Sequence, residues 1–278
     1  MDFQQQLLRA QAFKALHERD HAFVIPNPWD AGSAKLLASM GFEALATTSA
    51  GLAFTLGRAD AEGALTLGES LDNISAIVAA TALPVAADLE NGFADSPEDC
   101  AANLLAAAAR GIVGGSIEDA TGTTDQPIYD FELSVARVKA AAQAVRSLPF
   151  PFMLTARAEN LLNDRMDFSD TLRRLEAYAD AGADVLYAPG LRTREEVIAV
   201  VRAVAPKPVN VLMGIGGVTL TVADLSACGV KRISVGSSLA RAAFGGLYRA
   251  AQEIRTGGTF SYAEQALPFA QLNALFKD

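Results

Sequence analysis

An alternation that repeats eight times along this chain leaves few folds open to it. Short, mostly apolar runs of β type fall at residues 23–26, 44–49, 85–90, 113–119, 152–159, 185–189, 209–213 and 232–235, with Ala-rich helical segments between them. Near-continuous apolar runs suit parallel strands buried on both faces. The joints repeat as well. Gly41, Gly111, Gly182 and Gly229 close helical segments ahead of the second, fourth, sixth and eighth runs, where glycine supplies a left-handed cap. Pro84, Pro151 and Pro208 lead into the third, fifth and seventh, where proline stops a helix and pre-extends the chain. Ser96-Pro97-Glu98-Asp99 has the form of a helix start, with a capping hydroxyl, Pro at the first helical position and acids in the first turn.

Eight β-then-α units in one composition regime predict a single (β/α)8 TIM barrel domain over residues 1–278. An open doubly wound sheet is the alternative. The turn after the first run reads Pro26-Asn27-Pro28-Trp29-Asp30, without the glycines of a dinucleotide-binding turn. Two helical segments follow the last run, at about 238–254 and 262–276, where a barrel needs one. The extra C-terminal helix carries Leu267, Phe269, Leu272, Leu275 and Phe276, so an oligomer contact is expected there.

The formal net charge is −9, and no Lys/Arg run is present. Phosphate backbones are bound by clustered cations, so no nucleic-acid partner is expected. The first residues lack the basic and apolar regions of a signal peptide, and no apolar run is long enough for a bilayer, so the expectation is a soluble, cytoplasmic protein. Cys100 and Cys228 read as two buried thiols in a reducing compartment.

In a barrel the active site lies at the C-terminal ends of the strands. The third run ends in Asp88 and Glu90, two apart and so on one side of a strand; the fourth ends in Glu118-Asp119; the fifth carries Arg157 and Glu159. Acids gathered on three adjacent strand ends beside one Arg are costly to bury unless a cation neutralises them. Oxygen ligands without His or Cys favour Mg²⁺ or Mn²⁺ over zinc. Structural salt bridges or a solvated rim would explain the same residues without a metal.

After the second run, Ser49-Ala50-Gly51-Leu52 offers small residues whose backbone N–H groups could approach a substrate carboxylate. Asp60 lies on the loop that follows. Gly214-Ile215-Gly216-Gly217 and Gly236-Ser237 sit where many barrels hold a phosphate, which supports a competing phosphosugar or flavin-phosphate reading but leaves the acids unexplained. His17 and His21 precede the first run and are expected on a helix surface, so a Ser-His-Asp or zinc-histidine mechanism lacks raw material.

From about Pro26 to Ala243 the chain resembles the isocitrate lyase/phosphoenolpyruvate mutase superfamily. The likeness is carried by Asn27-Pro28-Trp29-Asp30-Ala31-Gly32-Ser33-Ala34, Thr48-Ser49-Ala50-Gly51 and Ala87-Asp88-Leu89-Glu90-Asn91-Gly92-Phe93. Ile117-Glu118-Asp119-Ala120-Thr121-Gly122, Ala156-Arg157-Ala158-Glu159 and Pro208-Val209-Asn210-Val211 extend it. The resemblance implies that Asp88 touches Mg²⁺ directly, with Glu90 and Glu118 holding it through water and Asp60 close to metal and substrate. It implies further that Ser49, Gly51, Leu52 and Asn210 bind substrate, that Arg157 grips an oxo-acid with Glu159 as its partner, and that members are tetramers with swapped C-terminal helices.

The stretch Thr121-Gly122-Thr123-Thr124-Asp125-Gln126-Pro127-Ile128-Tyr129-Asp130 departs from that family. It has neither the Lys-Lys/Arg-Cys-Gly-His of the lyases nor the Lys and Asn-Ser of the phosphonate mutases. The resemblance therefore implies a Mg²⁺-dependent lyase or decarboxylase acting on a small 2-oxo or 2-hydroxy acid through a metal-stabilised enolate. A phosphonate C–P enzyme and a non-catalytic barrel are the alternatives. For a general base, Glu118, Asp60 and Tyr129 are all open.

Overall fold

A computed structural model of the protein describes residues 2–60, 63–214 and 219–277. Eight strands run β1 Phe23–Ile25, β2 Leu45–Ala46, β3 Val85–Asp88, β4 Gly114–Glu118, β5 Met153–Arg157, β6 Val185–Tyr187, β7 Val209–Leu212 and β8 Arg232–Ser234. The helices are α1 Phe3–His17, α2 Ala31–Ser39, α3 Ser49–Thr55, α4 Leu67–Ala80, α5 Pro97–Ala108 and α6 Phe131–Arg146. They continue as α7 Phe168–Ala181, α8 Arg194–Ala203, α9 Val222–Ala227, α10 Ser238–Gly257 and α11 Phe269–Phe276.

All strand pairs are parallel, in the order β1-β8-β7-β6-β5-β4-β3-β2. At the seam between β1 and β2 the Ala46 N–H donates to the Pro26 carbonyl. Asn27 staples the same seam: its amide donates to the Thr47 carbonyl, and its Oδ1 accepts from Val235 and Gly236 N–H. The (β/α)8 barrel is therefore as the alternation predicts, with every strand inside its expected run but shorter. The four glycine joints all take positive φ, from 86° at Gly41 to 111° at Gly182.

The strands are shorter because their C-terminal ends leave the ladder to build the rim. Thr48 caps α3 by accepting from Gly51 N–H, so Ser49 begins a helix and not a loop. After β3 the backbone turns left-handed at Glu90 (φ 48°), Gly92 and Phe93, which ends the strand alternation expected to carry Asp88 and Glu90 to one side. At the far end, Pro268 breaks the expected 262–276 helix into a 3-10 turn, Ser261–Gln265, and the short α11. Helix α11 rests on α2, with the Phe276 ring beside Gly32. Tyr248, Leu247 and Phe269 remain 69%, 64% and 84% exposed. Among the described residues no helix is long and apolar enough to cross a membrane. Both cysteines are buried free thiols.

Helix α1 closes the N-terminal mouth of the barrel. Phe13 is fully buried and packs edge-on against Phe23 and His17. The expectation of a surface His17 is corrected: it is 3% exposed and wedged between the Phe13 and Phe23 rings. Its Nδ1 donates to the Phe13 carbonyl at 2.8 Å, and its Nε2 has no hydrogen-bond partner among the described residues. Burial, with nearby Arg232 adding to it, holds the imidazole pKa down to about 3.

Two predictions follow from this plug. A Cβ on Gly114 would meet Phe13 Cε1 at 2.7 Å and the Met153 carbonyl oxygen at 2.9 Å. Gly114→Ala is expected to destabilise the chain by about 1–3 kcal/mol in denaturant unfolding. The unfolded chain protonates His17 near 6.5 while the native chain resists until about 3, so native stability is lost as pH falls through that window. Wild type should lose stability more steeply than His17→Leu, by up to about 1.4 kcal/mol per pH unit between about pH 6 and 4. Equal slopes would refute a neutral buried imidazole.

Candidate active site

The C-terminal rim surrounds a cavity of about 230 Å³ whose wall includes Ser49, Asp60, Asp88, Arg157 and Asn210. These five were expected at the site from the sequence, and the barrel brings them together. Arg157, at the end of β5, is the hub. Its Nη1 donates to Asp88 Oδ1 at 3.0 Å and lies 3.1 Å from Glu118 Oε2, and its Nε donates to Glu159 Oε1 at 2.7 Å. Its guanidinium also stands over the Tyr187 ring, 5.0 Å from the centroid.

Three carboxylates thus share one guanidinium, and none of the four side chains is more than 18% exposed. Burial drives the Glu118 carboxyl well above its ordinary range. Arg157 pulls it back, while Glu159, Asp88 and Glu90 add to the rise. Glu159 is pushed up for the same reason, with Arg157 again the main opposing charge. The site carries more acid than its own cation offsets.

The remaining expected residues stand apart from the cavity wall. Glu118 reaches the site through Arg157. Glu90 lies in a neighbouring depression with Asn91, Asp95 and Thr121, although its charge still acts on Glu118. Gly51 and Leu52 point into packing: a Cβ on Gly51 would meet Thr48 and Trp29, and Leu52 clusters with Ala53 and Leu65. Their N–H groups donate to Thr48, and the Ser49 N–H and hydroxyl both donate to Asp88 Oδ2 at 3.1 and 2.9 Å. In this state the Ser49–Leu52 segment therefore orients Asp88 and does not present a row of free donors.

Tyr129 is a poor base. Its hydroxyl donates to Asp95 and accepts from Asn91, Arg137 covers its ring, and burial pushes its pKa up to about 12. The 121–130 stretch that lacks Cys, Lys and His is pinned by its own backbone, with Ala120 bridged to Ile128 and the Asp119 carbonyl accepting from Tyr129 N–H. Gly236 and Ser237 do line the cavity, whereas Ile215, Gly216 and Gly217 lie outside the described residues.

Several contributors escaped the sequence reading. Asp119, 2% exposed, accepts from Tyr178 Oη, Arg174 Nη1 and the Glu159 N–H. It fixes the turn that presents Glu159 to Arg157. Thr155, Tyr187, Ser234 and Arg232 complete the inner wall. The i, i+2 spacing of Thr155 with Arg157 and of Arg232 with Ser234 was the available signal, since alternate residues of a barrel strand face the lumen.

Oxygen atoms are what this rim offers a cation. Asp88 and Asp60 are carboxylates in the wall, with Glu118 and Glu90 outside it, and among the described residues no His or Cys lines the cavity. Among the described residues no three Asp, Glu, His or Cys side chains gather as a direct ligand set. Oxygen donors of this kind suit a hard cation that keeps most of its water and touches one or two carboxylates.

Known proteins share this architecture. A crystal structure of a Burkholderia cenocepacia J2315 protein, described only as a lyase/mutase, superposes with a TM-score of 0.96 at 55% identity, covering 99% of this chain and 98% of the other. An uncharacterized protein of Mycobacterium tuberculosis H37Rv is 32% identical over 268 residues, 96% of each chain. The structure of 2,3-dimethylmalate lyase matches at a TM-score of 0.84 and 25% identity over 98% of this chain and 94% of that one. The family pattern described as phosphoenolpyruvate phosphomutase matches residues 13–255, and the chain belongs to that family, within the phosphoenolpyruvate mutase/isocitrate lyase superfamily.

Proposed function

We propose that this protein is a divalent-metal-dependent lyase that cleaves a carbon–carbon bond of a small 2-oxo or 2-hydroxy carboxylic acid. The observation that carries the reading is the excess of buried carboxylate around Arg157. A Mg²⁺ or Mn²⁺ ion bound by Asp88, with Glu90 and Glu118 acting through water, would balance it. When bound, such an ion supplies Lewis-acid stabilisation of the negative charge that builds on an oxo-acid during cleavage.

The chain's own residues account for the rest. Ser49 holds Asp88 in one orientation through two hydrogen bonds, so the carboxylate is preorganised. Glu159 and Glu118 fix the Arg157 guanidinium, whose Nη2 carries no hydrogen bond among the described residues and can meet a substrate carboxylate. Asp60 on its loop is the rim carboxylate best placed to take or return a proton, since Tyr129 is engaged elsewhere and Glu118 is tied to Arg157. Decarboxylation needs only the electron sink, so the missing Cys of the 121–130 stretch does not forbid it.

One relative of this chain is a phosphonopyruvate hydrolase, which keeps phosphonate chemistry in view. Against a C–P reaction stands the absence of a Lys and an Asn-Ser pair in residues 121–130. One screen separates the two: the protein with Mg²⁺ and oxaloacetate, methylisocitrate, alkylmalates or phosphonopyruvate, following pyruvate and phosphate release. Release of a carbonyl product without phosphate is expected. Activity should disappear with EDTA, return with Mg²⁺ or Mn²⁺, and fall by at least about 10³-fold in Asp88→Ala. Full turnover in EDTA would overturn the metal reading, and phosphate release from phosphonopyruvate would favour the C–P one.

We further propose that the exposed face of α10 and α11 is covered by other copies of the chain. Sedimentation should show a dimer or tetramer at micromolar concentration, dissociating in a Leu247→Asp/Phe269→Asp variant. A wild-type monomer would contradict this.

A further inference from the structure

We infer that the floor of the cavity is a second oxyanion-binding site built on Arg232, one layer of side chains below Arg157. Arg232 opens β8, is 6% exposed and lines the cavity. Its Nε donates to Asn210 Oδ1 and its Nη2 to Thr155 Oγ1, both at 2.9 Å. Both acceptors are neutral. Among the described residues Arg232 has no ion pair, and no carboxylate figures among the charges that act on it. Burial lowers its pKa to about 10 and Arg157 adds to that, with only the Tyr187 phenol opposing, so the guanidinium stays charged at neutral pH.

A buried cation without a counter-ion is costly, and in folded proteins such charges are paired. Below Arg232 no counter-charge stands among the described residues: His17 is neutral there, and Phe13 and Phe23 close the mouth. The open direction is upward, into the cavity. Asn210 Nδ2 is committed to Ser234 Oγ, which fixes the amide so that its Oδ1 faces Arg232. The fork is thereby preorganised, as planar recognition of an oxyanion requires. Thr155 and Arg157 are two residues apart on β5, about 7 Å of strand, so Arg232 is anchored one inward-facing layer below the residue that carries the upper guanidinium.

The ligand is therefore a carboxylate-class oxyanion, either the distal carboxylate of a diacid or a separate small anion that accompanies a monoacid. The choice of acid rests on the lyase reading above; the site itself does not. It can be tested by thermal unfolding at constant ionic strength with succinate, with propionate alone, and with propionate plus formate, on wild type, Arg232→Met and Arg232→Lys.

Succinate should raise the wild-type Tm at concentrations at least tenfold below those needed for propionate. Arg232→Met should lose that preference while keeping the propionate response, and Arg232→Lys should weaken succinate several-fold. If propionate matches succinate only when formate is added, the second anion is a separate one. Equal succinate protection in wild type and Arg232→Met, or no succinate protection in wild type, overturns the site. If Arg232→Met does not fold, unchanged succinate affinity in Arg232→Lys does the same. Metal-dependent turnover with Arg232-independent binding would sink this inference alone. Arg232-dependent binding without metal-dependent turnover would sink only the lyase reading.

Discussion

The ion pairs of Arg157 with Asp88, Glu118 and Glu159 are the interaction on which this structure's chemistry depends. Carboxylates from neighbouring strands repel one another, and burial strengthens that repulsion because little water screens it. One guanidinium can hold three such groups in place but cannot neutralise them all. Burial pushes the Glu118 and Glu159 carboxyls up, Arg157 opposes it, and the neighbouring carboxylates add to the rise. A barrel makes the arrangement achievable, because parallel strands deliver their C-terminal ends to one rim, where Glu118 pairs in register with Arg157 across β4 and β5.

Beneath that rim the barrel is graded by depth. Aromatic rings from α1 and β1 seal the N-terminal mouth, and the absence of a side chain on Gly114 lets Phe13 enter. Above the seal comes a layer with a lone guanidinium and neutral hydrogen-bond acceptors, and above that the acid-rich layer around Arg157. The aromatic seal brings no counter-charge to Arg232 from below, so the plug bears on binding although it touches no ligand. Asp119 serves the upper layer in a similar way, turning a backbone N–H, a Tyr and an Arg into a support for Glu159.

The barrel was legible in the sequence because burial on both faces of each strand leaves continuous apolar runs, and because Gly41, Gly111, Gly182 and Gly229 must turn left-handed. The gathering of Asp88, Arg157 and Ser49 at one cavity was legible because strand ends of a barrel point to one place, while Asp60 and Asn210 were placed there only by the family resemblance. The direction of Glu90 was not legible, because alternation holds only within a strand and the backbone leaves β3 at Asp88. His17 was misjudged because α1 turns its Ala10, Phe13 and Leu16 face into the barrel mouth, a tertiary event that residue type alone does not announce. Arg232 went unnoticed because a charged residue at the start of a strand ordinarily faces water. Only the closed lumen shows that it does not.

Titration of Mn²⁺ into the wild-type protein, followed by loss of the free-ion electron paramagnetic resonance signal, tests the electrostatic claim without any assumption about substrate. One bound ion per chain is expected, displaced by Mg²⁺ and reduced at least tenfold in affinity by Asp88→Asn. A wild-type chain that leaves the Mn²⁺ signal untouched, or an Asp88→Asn variant that binds it equally well, would contradict the account.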